Sequence, residues 1–165
     1  MIVRRLAPDD WLTFKTLRLA SLRDAPDNFA QDHDAIADDP PDTWQAALKQ
    51  RVTYAAFDDS TPIGLAAYIA DDPSRMSHRA HLINVWVDPA WRGAGRAEAL
   101  VRAVEEAARS DGILQFELEV NAENARAVAF YHRLGYQTVG RIPRAFRTPT
   151  GFLDDFLMVR ALDRT

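Results

Sequence analysis

The apolar residues of this chain switch between the two-residue period of a half-buried strand and the three-to-four-residue period of an amphipathic helix. Ile2 to Leu6 reads as a short strand, and Pro8-Asp9-Asp10 opens a helical pattern with Trp11, Phe14, Leu17 and Leu22 facing inward. From Asp24 to Asp42 the chain becomes acidic and proline-punctuated, with no clear period, which predicts loop and short helix. Tyr54 to Phe57 and Ile63 to Ala70 are strand-like runs joined by Asp58-Asp59-Ser60-Thr61-Pro62, a stretch suited to a hairpin connection. Leu82 to Val87 is almost continuously apolar and stops at Asp88-Pro89, as a central strand covered on both faces would. Ala97, Leu100, Val101, Val104 and Ala108 then recur at helical spacing, with Glu98, Arg102, Glu105, Glu106 and Arg109 on the opposite face. After Asp111-Gly112, Leu114, Phe116, Leu118 and Val120 alternate with Gln115, Glu117 and Glu119, the pattern of a strand with one polar face. A helix from about Asn124 ends at Leu134-Gly135, and strands are predicted around Thr138 to Ile142 and Phe152 to Val159.

No repeat, low-complexity segment or linker divides these elements, so residues 1–165 are expected to form a single domain. The predicted class is α+β, or α/β by a looser definition, with one mixed sheet flanked by helices. A content of 47% hydrophobic and 27% charged residues is ordinary for a globular chain. The absence of cysteine excludes thiol nucleophiles, thiolate metal sites and redox switching. His33, His78, His81 and His132 form no ligand pair at metal-binding spacing, so no metal is expected. The N-terminus lacks an apolar signal region and no window approaches the roughly 20 apolar residues that span a bilayer, which predicts a cytoplasmic protein without a membrane partner. A net charge of −4 without a block of Lys or Arg argues against nucleic-acid binding.

The segment Val87-Asp88-Pro89-Ala90-Trp91-Arg92-Gly93-Ala94-Gly95-Arg96-Ala97 lies between the central strand and the amphipathic helix. The first amides of a helix have no partner within it and the helix dipole is positive there, so a phosphate is favoured at such a junction. Gly93 and Gly95 remove side chains that would hold a ligand away from those amides, and Arg92 and Arg96 add positive charge. The competing reading is a strand-to-helix turn that uses glycine only for backbone freedom. A Rossmann dinucleotide loop fits poorly, because Glu98 stands where its last glycine or alanine belongs.

Arg92, two residues, Gly95, one residue and Ala97 match the signature of the GNAT acyltransferase superfamily, which the chain resembles from Ile2 to about Leu162. The resemblance implies a GNAT-like fold with a mostly antiparallel sheet. It also implies coenzyme A pyrophosphate on the amides of Arg92 to Ala97, and a pantetheine arm running beside Val85, Trp86 and Val87. Arg96 departs from the family, which usually carries an apolar residue there.

Asn121 to Tyr136 resembles the second family signature: an asparagine, a helix with small residues, a tyrosine, then Leu-Gly-aromatic. Asn124 and Tyr131 are seven apart, two helical turns, and therefore share a face. By resemblance, Asn124 binds the pantetheine arm and the Tyr131 hydroxyl protonates the departing thiolate; a helix N-cap and a packing residue are the alternatives. Glu119, twelve residues before Tyr131, resembles the glutamate base of the ribosomal-protein alanine N-acetyltransferase branch. Glu117 shares its strand face and is the reserve, while two solvated carboxylates are the bland reading. Asn84 stands in the strand where many family members place a glutamate base, and it cannot take a proton.

The resemblance implies direct transfer of an acetyl group from acetyl-CoA, the cosubstrate, to a primary amine in a ternary complex. The oxyanion donor would be a backbone amide near Trp86 or Val87. The acceptor, a small molecule or a protein amine, is not named by any residue, and self-association as a homodimer stays open. The acidic stretch would lie near the acceptor entrance, where it could attract a cationic amine. A silent acyl-CoA sensor and an interaction module that keeps only the fold are the rival readings.

Overall fold

In the computed structural model, which describes residues 1–71 and 74–163, the elements follow the predicted order with longer strands and one additional helix. Strand β1 (Ile2–Arg5) leads through a 3-10 turn at Pro8–Asp10 into α1 (Trp11–Asp24), which buries Phe14, Leu17 and Leu22. The acidic stretch folds into a 3-10 turn at Pro26–Asn28 and the short α2 (His33–Ile36). Helix α3 (Pro41–Gln50) was not foreseen. Its proline sits in the first turn, where the missing N–H costs nothing, and Trp44 and Leu48, four apart, are its buried anchors.

Strands β2 (Val52–Asp58) and β3 (Thr61–Ala70) form the expected hairpin, followed by β4 (Arg79–Val87), α4 (Arg96–Ser110), β5 (Gln115–Asn121) and α5 (Ala125–Arg133). Strands β6 (Gln137–Thr148) and β7 (Gly151–Ala161) close the chain as a hairpin longer than predicted. The sheet order is β1-β2-β3-β4-β5-β7-β6, with β4–β5 the parallel pair and every other neighbour antiparallel.

Each face of the sheet has its own core. Leu6, Phe14, Leu17, Trp44, Leu48, Leu65 and Trp86 pack under α1 and α3. Leu100, Val104, Phe116, Leu118, Val120, Leu134 and Tyr136 pack under α4 and α5. Glu105 departs from its expected place on the solvated face of α4 and is 0% exposed. It accepts from Arg160 Nη1 at 2.7 Å, from Arg102 Nη1 at 3.1 Å and from the Tyr136 hydroxyl at 3.1 Å. At helical spacing Glu105 lies at the edge of the apolar stripe, one turn from the buried Val101 and Ala108, and there Arg160 of β7 reaches it as partner.

The feature that creates the site is an interruption of β4. Its register with β3 shifts by one residue between Ile83 and Trp86, and Asn84 adopts φ +57°. Ala80 and Leu82 before the shift, and Val85 and Val87 after it, all face the α4 side, whereas strict alternation would have reversed them. Strands β4 and β5 pair only over Arg79–His81 against Gln115–Glu117. Beyond that point they diverge, and the β5-facing edge of β4 has no partner strand among the described residues.

Candidate active site

A cavity of about 990 Å³ fills the opening between the splayed strands. Leu82 to Val87 line it from β4, and Leu118, Glu119 and Asn121 from β5. The loop before α4, one side of α5, the segment after α1, Arg18 of α1, Ala145 and Phe146 of β6 and Asp155 of β7 complete its wall.

The loop uses the backbone freedom of its glycines. Gly93, Ala94 and Gly95 have φ of +92°, +49° and +72° in succession, and Gly95 is the N-cap of α4. A Cβ on Gly93 or Gly95 would meet nothing within 4 Å, so the space outside those amides is open. The amides of Gly93, Ala94, Gly95, Ala97 and Glu98 donate to no acceptor among the described residues, while Arg96 N reaches Gly93 O at 3.3 Å. Free amides at a helix start beside open space fit a pyrophosphate.

The two loop arginines hold the loop rather than project from it. Arg92 Nε donates to Val87 O at 3.0 Å, and its Nη2 meets the Asp24 carboxylate at the end of α1. Asp24 also accepts from Trp86 Nε1 at 2.8 Å, so one carboxylate ties α1, β4 and the loop together. Arg96 Nη1 donates to Trp91 O at 3.3 Å, and its guanidinium lies 5.5 Å from the Trp91 ring centre.

Tyr131 and Glu119 reach the cavity from opposite faces of the sheet. Phe116, Leu118 and Val120 point to the α4–α5 side, so by alternation Glu117, Glu119 and Asn121 point to the α1 side. Tyr131 belongs to the α4–α5 side, with its ring against Phe130 and Tyr136 at 5.2 and 5.6 Å between centres. Burial pushes its phenol well above the usual value, which keeps the proton on the oxygen at neutral pH. Asn124 is the N-cap of α5: its Oδ1 accepts from Ala127 N at 3.1 Å. Its Nδ2 donates to Asn28 Oδ1 at 3.3 Å and closes the cavity rim there.

Glu117, the reserve base, does not line the cavity. Its carboxylate accepts from Arg79 Nη2 at 2.8 Å and Gln115 Nε2 at 2.9 Å. The Arg79 hydrogen bond, ahead of the smaller Gln115 contribution, holds it below the usual carboxylate range. Of the acidic stretch, Asp24 and Asp27 line the cavity, and Asp24 is already paired.

Asp155, His81 and Arg18 line the cavity without having been site candidates in the sequence, whereas Asn84 was noted there as a residue unable to act as base. Asp155 of β7 lies across from Asn121, and burial first, then the charge of Glu119, raises its carboxyl above the ordinary value. The available signal was an acidic pair, Asp154-Asp155, inside an apolar strand pattern. His81 pairs with Asp71 at 3.2 Å. The Asn84 Nδ2 is buried without a partner among the described residues. Arg18 of α1 is buried as well. These residues are brought to one place only by the sheet and its bulge. Among the described residues no three His, Asp or Glu side chains gather as a metal site requires.

Comparison with known proteins gives the same frame. The family model described as Acetyltransferase (GNAT) family matches residues 16–136. An uncharacterized N-acetyltransferase of Mycobacterium tuberculosis (strain ATCC 25618 / H37Rv) is 32% identical over 113 residues, 68% of this chain and 69% of that one. Among solved structures, a putative acetyltransferase from Salmonella typhimurium with its cofactor acetyl-CoA superposes with a TM-score of 0.80 at 18% identity, covering 100% of this chain and 95% of the other. The ribosomal-protein-alanine N-acetyltransferase from Brucella melitensis also gives 0.80, at 17% identity, with 98% and 99% covered. At such identities these two show the fold alone. With the family model spanning both motifs and strands β2 to β5, the chain belongs to the GNAT acetyltransferase family.

Proposed function

We propose that this chain transfers an acetyl group from acetyl-CoA to a primary amine by direct attack in a ternary complex. The observation that carries the reading is the opened β4–β5 edge, with free loop amides at one end and Tyr131 and Glu119 on opposite faces. The amides of Gly93 to Ala97 and Glu98 hold the pyrophosphate, and the unpaired edge of β4 at Val85, Trp86 and Val87 offers backbone groups to the pantetheine arm. Asn124 reaches that arm once Asn28 releases its Nδ2.

Glu119 takes a proton from the attacking amine, directly or through one water, as the new C–N bond forms. An amide of β4 near Trp86 or Val87 stabilises the negative charge that develops on the thioester oxygen. Tyr131 delivers its proton to the sulfur as the C–S bond breaks. The unpartnered Asn84 Nδ2 is a further donor toward the reacting groups. Glu117 has no part in this scheme, because its carboxylate is committed to Arg79.

Thiol release from acetyl-CoA with a panel of primary amines tests the reading. Amine-dependent release is expected. Binding of acetyl-CoA with no release for any amine would make the chain a sensor, and failure to bind it would leave an interaction module.

A further inference from the structure

A buried cation without a counter-charge stands in the cavity wall. Arg18 is 4% exposed and lines the cavity beside Phe29 and Gln31, yet no aspartate or glutamate among the described residues forms an ion pair with it. Its contacts are to neutral oxygens: Nε and Nη2 donate to Gln31 Oε1 at 3.4 and 3.1 Å, and Nη1 to Ser21 Oγ at 3.4 Å. A guanidinium has five N–H donors, so part of its hydrogen-bonding capacity is unspent. The Phe29 ring lies 4.7 Å from the guanidinium carbon and holds its plane. A charged side chain that acts on it is another cation, Arg51, itself over the Phe14 ring and with its Nε unpartnered among the described residues. Burial first, and Arg51 second, pull Arg18 down to about 10, which leaves it charged at neutral pH.

A buried charge is costly unless an anion and well-formed hydrogen bonds replace water. Nothing among the described residues does this for Arg18, and a carboxylate matches its planar fork. The same cavity carries Glu119 and Asp155 on β5 and β7, so its wall presents both signs of charge. Arg18 belongs to α1, on the same face of the sheet as Glu119 and the opposite face from Tyr131.

We propose that the acceptor carries a carboxylate besides its amine, that Arg18 binds this carboxylate, and that the substrate class is therefore the free amino acids. This rests on the acetyl-transfer reading above, with Glu119 receiving the amine end. Gln31, which occupies part of the guanidinium in the free protein, gives way to the stronger, charged acceptor.

The test compares the standard amino acids with their C-terminal carboxamides, first by calorimetric binding to the enzyme saturated with coenzyme A, then by thiol release. At least one amino acid is expected to bind and react about 10- to 100-fold better than its carboxamide, the range for a hydrogen bond to a charged group. Arg18→Gln should abolish that discrimination and leave acetyl-CoA affinity unchanged. Arg18→Lys, which keeps the buried charge but not the fork, should lose most of it even if the glutamine variant folds poorly. Equal behaviour of carboxylate and carboxamide across all pairs overturns the proposal. So does discrimination that survives both variants, or an Arg18→Gln protein whose main loss is in acetyl-CoA affinity, which would assign the arginine to the cosubstrate's phosphates. Discrimination in binding without thiol release would instead count against the transfer reaction and leave the carboxylate site standing.

Discussion

Tyr131 and Glu119 are proposed to move different protons, and their variants should separate. Glu119→Gln keeps the shape but removes the acceptor, so kcat/KM should fall at neutral pH and partly recover at higher pH, where more amine is already unprotonated. Tyr131→Phe removes only the hydroxyl, so kcat should fall about 10²- to 10⁴-fold with no rescue at high pH. Steady-state pH–rate profiles decide both; a wild-type profile in Glu119→Gln would remove the base assignment. Glu117 serves as the control on the same strand. Its folded value is lowered by Arg79, so its contribution to stability is present above the ordinary carboxylate range and is lost as pH falls through the folded value. Glu117→Gln should therefore melt earlier than wild type at neutral pH, match it in acid, and keep an unaltered pH–rate profile. Asp155 has the opposite sign. Its folded value is raised, so ionisation opposes folding above the unfolded value of about 3.9. Asp155→Asn should raise the melting temperature at neutral pH and give no advantage below that value, and thermal melts across pH check it.

At the scale of elements, the loop and α5 were legible because their information is local. Gly93 and Gly95 between a strand and a helix specify left-handed backbone at the helix start, and the structure has it at both. Gly95→Asn tests the loop more cleanly than a β-branched change, since asparagine tolerates left-handed φ and a Cβ there meets no heavy atom within 4 Å. The melting temperature should stay close to wild type while calorimetry shows acetyl-CoA binding weakened at least about tenfold, the consequence of a side chain in the phosphates' space. Unchanged affinity would move the pyrophosphate elsewhere. By contrast, α3 was missed because the acidic, proline-rich stretch before it masked a helix anchored by only Trp44 and Leu48. The bulge at Asn84 was invisible too. An apolar run carries no parity, so nothing in Leu82 to Val87 indicates where the strand changes face.

For the molecule as a whole, Glu105 binds α4 to Arg160 of β7 and to Tyr136, the residue before β6. Glu105→Ala strands a largely buried arginine and should cost about 3 kcal/mol in a denaturant titration; a loss of only a few tenths would mean that Arg160 finds another partner. The sequence by itself determined the order of strands and helices, the helix-start loop, and the Asn124–Tyr131 face, because each depends on residues within a few turns or one strand of one another. It also carried the family through two motifs in that order. Only the tertiary structure decided which carboxylates are free. Glu117 and Glu119 are equivalent in an alternating pattern, yet β4 stays paired beside the first, where Arg79 reaches it, and has splayed away beside the second. Likewise Arg18 and Asp155, far apart in sequence, line one cavity, which opens where β4 and β5 part.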